Sequence, residues 1–292
     1  MAALTDGNPL GAASKGLGGG AGGGEGGGIG VGRGGGRNMV SLFGTRGFDV
    51  PGLAGKFYDI KQSRSGTYND PGIPGYITVC NRFISSGWRE SVLEKYYASP
   101  SELSLQQFLI PVRPGNAGEA PAAFQAKNVK ASRWIVHYKG SVTAPFTGKF
   151  RFVGMADDWL TVRWNGKLGL VSGYNLIGSY GGKTPPRGVG ERYPYGFGRP
   201  AFFTGPWIEV RQGSSYDMEI AIGETPGGEF CGVLAWQKEN AKSPLLLFRM
   251  DAGPLPKEAI DGSKGGIPTN VQLDGGKLIW KPKMGSRFRG KR

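Results

Sequence analysis

"FTGKFRFVGMADDWLTVRWNGKLGL", residues 146–170, decides the fold. Apolar and polar residues alternate over 148–154 and again over 159–164, the period-two pattern of strands with one face in a core. Between the two runs stand adjacent acids, Asp157 and Asp158. Asn165-Gly166 then sets a tight hairpin, because both residues readily adopt the positive φ angles of a type I′ turn. Working outward, the spacing predicts strands over 133–139, 148–154, 159–164, 167–171, 207–211, 215–222 and 231–237. In "YDMEIAI", Tyr216, Met218, Ile220 and Ile222 face inward and leave Asp217 and Glu219 in water. Turn signals at such short intervals argue for an antiparallel sandwich or barrel.

Upstream, residues 52–62 read as an opening strand, and "YITVCNRFISSG" suits either a helix or a strand. "WRESVLEKYYAS" predicts a helix, since Trp88, Val92, Leu93, Tyr96 and Tyr97 gather on one helical face. Residues 103–112 alternate as a strand, and a Pro/Gly/Ala linker runs through 114–123. The fold class is mainly β: an antiparallel β-sandwich over 48–240 with a helical insertion at about 63–131. Many of the 54 glycines crowd before position 48, where the chain offers little to bury and most backbone entropy to lose. Residues 1–47 are therefore read as a flexible leader and 241–292 as a basic extended tail.

The formal charge is +14, and residues 241–292 hold eleven Lys and Arg against four acids, half of that surplus. A tail of this kind suits an anionic partner or simply a solvated terminus. Three arginines in the leader are too few for an RNA-binding Gly-Arg segment, so nucleic acid is not favoured. Cys80 and Cys231 fit no metal spacing and are read as buried thiols, with a disulfide the alternative in an exported protein. His137 is the single histidine, so a Ser-His-Asp triad or a His-containing metal site would have to use it. In "WIVHYKG" it reads instead as a strand-face residue, opposite Trp134, Val136 and Tyr138. No strand-GxGxxG-helix unit is present, no apolar run is long enough to span a membrane, and the first residues lack the pattern of a secretory signal.

The stretch 172–206 is a long interruption for a compact domain. It carries Tyr174, Tyr180, Tyr193 and Tyr195 among Arg187, Arg192 and Arg199. Aromatic rings stack on the apolar faces of sugars, and guanidinium groups bind carboxylates or sulfates in pairs of hydrogen bonds. A loop that packs its own aromatics against the sandwich satisfies the same pattern.

The ordered features Ala144-Pro145, Thr147-Gly148-Lys149-Phe150, Asp157-Asp158 and Asn165-Gly166-Lys167 resemble the protective-antigen-type (PA-14) domain of bacterial toxins, glycosidases and yeast flocculins. Residues 207–237 resemble that family's closing strands, and "GLAGKFYD" its first. Residues 63–131 have no counterpart in the ordinary pattern. In sugar-binding members the Asp-Asp step resembles a cis-peptide pair whose carboxylates hold Ca²⁺, and the ion holds sugar hydroxyls. The resemblance thus implies Asp157 and Asp158 as metal ligands, with further oxygens from Glu224, Glu229 or backbone carbonyls of "GETPGGEF". Two positions depart from the pattern: Trp159 stands where glycine is usual, and "LGLVSG" lacks the customary Asp. Acids that cap a tight turn through their own backbone amides are the competing account of the pair.

The reading that follows is a non-enzymatic carbohydrate- or envelope-polymer-binding module, Ca²⁺-dependent through Asp157 and Asp158. Its ligand-binding candidates are Trp159, Tyr174, Tyr180, Arg187, Arg192, Tyr193 and Tyr195. An acidic polysaccharide suits the net charge, and the resemblance favours the cell envelope or a secreted location. The alternative is a structural or assembly protein of the envelope that docks protein partners. A glycosidase needs opposed carboxylates across a cleft, and adjacent acids are too close for those roles.

Overall fold

The structure, a computed structural model, describes residues 39–47, 49–111, 115–173, 202–240, 242–260 and 271–283. The chain opens with β1 (Met39–Ser41), β2 (Gly44–Arg46) and β3 (Leu53–Ser63), then helices α1 (Gly72–Ser85) and α2 (Glu90–Leu93). Next come β4 (Tyr96–Leu105), β5 (Leu109–Ile110), the short helix α3 (Glu119–Ala123), β6 (Trp134–Thr143) and β7 (Gly148–Asp157). β8 (Trp159–Trp164), β9 (Lys167–Gly173), β10 (Phe203–Thr204), β11 (Ile208–Val210), β12 (Ser215–Glu224) and β13 (Cys231–Lys238) follow. The chain closes with β14 (Leu245–Leu247), α4 (Lys257–Ile260), β15 (Val271–Gln272) and β16 (Lys281–Pro282).

These strands form two sheets. The first runs β1-β2-β4-β3-β6-β12-β8-β9, with β16 added to β6. The second runs β10-β7-β13-β14-β15, with β11 also on β7 and β5 also on β13. All pairs are antiparallel except β14 with β15. The expected hairpin is present: Asn165 and Gly166 have φ of 45° and 78° between β8 and β9.

Between the sheets lies an aromatic core. Phe150 and Phe152 of β7 meet Trp164 of β8, and Phe150 also meets Trp236 of β13, all buried. Trp280, fully buried, stands among them, with ring centroids 4.8 Å from Phe150, 5.4 Å from Trp164 and 5.5 Å from Trp236. Just beyond it, β16 pairs with Thr143 and Val142 of β6. The sandwich thus uses chain on both sides of the expected 48–240, with β1 and β2 before it and Trp280 after it.

The outer face of the first sheet is also dry. Tyr58, Ile60, Ile135, Trp159 and Ala221 pack under Tyr76, Cys80, Phe83 and Ile84 of α1 and Leu93 of α2. The molecule therefore has three layers, helix on sheet on sheet. Of residues 76–87, 76–85 resolve to helix α1, and Cys80 and Cys231 are buried thiols. The helix expected across Trp88–Ser99 is corrected: only Glu90–Leu93 is helical, and Tyr96 opens β4. Asp59 and Ser63 of β3 pair with Tyr97 and Tyr96, so an available sheet edge and the strand preference of tyrosine override the helical spacing. The strand expected at 103–112 divides into the end of β4 and β5, which pair with different sheets.

His137 lies on β6 and is fully buried beneath the helical layer, 5.1 Å from the Phe83 ring and 5.7 Å from Trp88. Its Nε2 lies 2.9 Å from Glu219 Oε2, and Arg163 Nη1 donates to Glu219 Oε1 at 2.6 Å. Glu219, expected in water, is thus tied into a polar row under the helices.

Candidate metal centre

β7 belongs to the second sheet and β8 to the first, so the Asp157–Asp158 step is where the chain crosses between them. Asp157 ends β7 opposite Cys231, and Asp158 sits just before β8. The Asp157–Asp158 peptide is cis. The Asp158 amide donates to Gly223 O at 3.2 Å, which fastens the crossover to the end of β12.

One residue on, Glu224 closes β12. Asp157, Asp158 and Glu224 each offer a carboxylate oxygen, and these oxygens lie within 4.8 Å of one another. All three residues are buried, at 5%, 8% and 1% exposure. Neighbouring amides fix two of the acids. Thr225 N donates to Asp158 Oδ2 at 2.5 Å, and Gly227 N donates to Glu224 Oε1 at 2.8 Å. The turn "ETPGG" therefore folds back over the acids and brings a third carboxylate to them. Of the two acids anticipated in that segment, Glu224 joins the group and Glu229 does not.

Three carboxylates so close in a dry setting repel strongly, and a cation between them relieves that repulsion. The donor set fits a hard divalent ion. It is all oxygen, without thiolate or imidazole, which suits calcium or magnesium over zinc or copper. Calcium–oxygen distances of about 2.3–2.6 Å allow two ligands of one ion to lie up to roughly 5 Å apart. The observed 4.8 Å limit is within that reach. Calcium takes about six to eight oxygens, so the three carboxylates leave positions for water, carbonyls or hydroxyls of a ligand.

Trp159, expected as a stacking surface, is corrected. It is fully buried on the outer face of the first sheet, and its indole N–H donates to Tyr76 Oη at 2.9 Å. The Tyr76 hydroxyl in turn donates to Trp134 O at 2.9 Å. Burial foremost, and the neighbouring Cys80, push the Tyr76 hydroxyl well above its ordinary pKa, so it stays a neutral donor. Glycine at 223 makes room for this contact: a Cβ there would fall 2.2 Å from Tyr76 Oη and 2.4 Å from Trp159 Nε1. Helix α1 covers the Trp159 ring and keeps it from solvent.

The other ligand-binding candidates, Tyr174, Tyr180, Arg187, Arg192, Tyr193 and Tyr195, lie outside the described residues. Among the described residues, no helix is long and apolar enough to cross a membrane.

No family model matches the chain, and no curated protein matches it. Among solved structures it is similar to the PA14 domain of the MpAFP antifreeze protein, at 12% identity and a TM-score of 0.40, covering 67% of this chain and 86% of that one. It is similar to the PA14 sugar-binding domain of an RTX adhesin, at 14% identity and a TM-score of 0.38, covering 67% and 94%. A third is the epithelial adhesin 6 A domain of Candida glabrata, in complex with Galβ1-3GlcNAc, at 13% identity and a TM-score of 0.38, covering 66% and 81%. The chain is similar to PA14 domains in fold, and its site stands on its own residues.

Proposed function

We propose that this chain is a glycan-binding module whose ligand is held through a divalent cation, calcium, at Asp157, Asp158 and Glu224. The observation that carries the reading is the convergence of three buried carboxylates at a crossover between the sheets. One acid comes from the end of β7, one from the crossover itself and one from the end of β12, so both sheets fix the geometry. When bound, the cation supplies a Lewis-acidic centre that accepts hydroxyl oxygens. The chain's own part is to orient the carboxylates through the amides of Thr225 and Gly227. Vicinal hydroxyls of a sugar match the demand of calcium for additional neutral oxygens. The resemblance over 134–170 and 207–237 supplies the same expectation.

The test is glycan binding by the full chain, on an array and then in solution, with calcium and with EGTA. Binding that needs calcium and disappears in Asp158→Asn supports the proposal. Binding of a protein partner with no glycan signal in either condition favours the assembly alternative.

A further inference from the structure

At the end of the second sheet near Lys149 and Arg151, its outer face carries a second set of residues, unrelated to the acids. On β7, Phe150 and Phe152 point into the core, so Arg151 points away from it. β11 pairs Ile208 with Phe150, which sets Trp207 beside Arg151. On the other side, β13 pairs Gln237 with Arg151. Trp207, just before β11, therefore forms one row with Arg151 of β7 and Gln237 of β13. Two residues along, Glu209 pairs with Lys149, whose Nζ lies 3.6 Å from Glu239 Oε2. This second row lies parallel to the first.

The first row is locked. The Arg151 guanidinium lies 4.7 Å from the centre of the Trp207 ring. Its Nε and Nη2 donate to Gln237 Oε1 at 3.1 and 2.8 Å, and Gln237 Nε2 donates to Ser243 O at 2.9 Å. Trp207 is nonetheless 42% exposed, while the other six tryptophans of the chain are at most 5% exposed. The fold buries every other indole and leaves this one in water beside a fixed guanidinium.

We propose that this face is a metal-independent binding platform for a neutral oligosaccharide, with Trp207 as the stacking surface and Arg151 and Gln237 as its hydrogen-bonding flank. An aromatic ring suits the apolar face of a pyranose, and an amide and a guanidinium suit its hydroxyls. Side chains already held by one another lose little rotamer freedom on binding. The charge balance selects the ligand. Within the two rows Arg151 and Lys149 stand with Glu209 and Glu239, two cations with two carboxylates, so the rows themselves carry no surplus charge for a polyanion. A neutral sugar is matched by the remaining donors of Arg151 and Gln237 and by the ring together.

The test uses the full chain in EDTA, which silences the acidic site. The probes are neutral gluco-, xylo-, manno- and galacto-hexasaccharides, with oligogalacturonate as the polyanion. Acrylamide quenching of tryptophan fluorescence reports Trp207, the exposed indole. At least one neutral probe at millimolar concentration is expected to protect it by twofold or more. Saturation-transfer NMR of that probe should be lost in Trp207→Ala, weakened about tenfold in Arg151→Met and partly kept in Trp207→Phe, while Asp157→Asn/Asp158→Asn binds as the parent does. Protection by no neutral probe, protection by oligogalacturonate alone, or unchanged binding in Trp207→Ala would each overturn the proposal. Because calcium is absent throughout, failure here leaves the calcium site standing, and failure of the calcium site leaves this result standing.

Discussion

The indole of Trp159 donates to the hydroxyl of Tyr76 at 2.9 Å, so helix α1 grips the residue that follows the Asp157–Asp158 step. Both groups are buried, and Trp134 O accepts the Tyr76 proton. Tyr76→Phe removes the link and strands a buried donor and a buried acceptor, at a cost of roughly 1–3 kcal/mol. The expected outcome is a lower melting temperature and, separately, a several-fold weaker calcium affinity by calorimetry. A variant that loses stability while keeping its calcium affinity would show that the link serves packing alone.

Gly223 lies against the same pair. A Cβ there meets Tyr76 Oη, Trp159 Nε1 and the Trp134 carbonyl within 2.8 Å, and none of these can retreat without breaking a buried hydrogen bond. Gly223→Ala should destabilise by about 1–3 kcal/mol, the usual range for overpacking. Pairing it with Tyr76→Phe should cost less than the two changes summed, because they share partners. A double-mutant cycle by chemical denaturation measures this.

Trp280 joins the last described strand to the core, with its ring among Phe150, Trp164, Trp236 and Phe248. Trp280→Ala should cost about 3–5 kcal/mol, as for other buried large-to-small changes. Truncation after residue 276 should behave alike, whereas truncation after 283 should leave the melt unchanged. Equal melts for the two truncations would show that β16 and Trp280 are dispensable.

The row beneath the helices predicts an acid response. Burial alone would raise the Glu219 carboxyl, but its contacts with His137 and Arg163 outweigh burial and hold it below its ordinary value of 4.5. A depressed carboxylate contributes stability above the unfolded value, and that stability is lost as pH falls through the folded one. The parent should therefore weaken below about pH 4.5. In Arg163→Gln the acid transition, followed by circular dichroism, should move to higher pH. An unmoved transition would remove Glu219 from the account.

Much of the sandwich was legible in the sequence because its strands alternate and its hairpin carries Asn165-Gly166. Period-two patterns report local geometry, and β6, β7, β8, β12 and β13 follow them closely. Residues 88–99 misled because Tyr96 and Tyr97 fit a helical spacing, while the β3 edge that claims them is distant in sequence. Trp280 stands alone among basic residues, and one aromatic without a period carries no local strand signal. The Asp157–Asp158 pair was visible as adjacent acids, and Glu224 as an acid in a Gly/Pro turn. Their convergence depends on the pairing of β12 with β8, which no local pattern states. Trp159 read as a ligand surface because nothing in 146–170 announces that α1 covers it.

The most direct measurement is a calcium titration of the full, metal-stripped chain, read as melting temperature. Asp157→Asn/Asp158→Asn and Glu224→Gln run beside it. An ion that binds only the folded chain, at a hundred times its dissociation constant, adds about 2.7 kcal/mol. The account predicts a calcium-dependent rise in the parent, its loss in the double variant and its marked reduction in Glu224→Gln. No rise at millimolar calcium, or an equal rise in all three proteins, would contradict it and return the three acids to the role of turn residues.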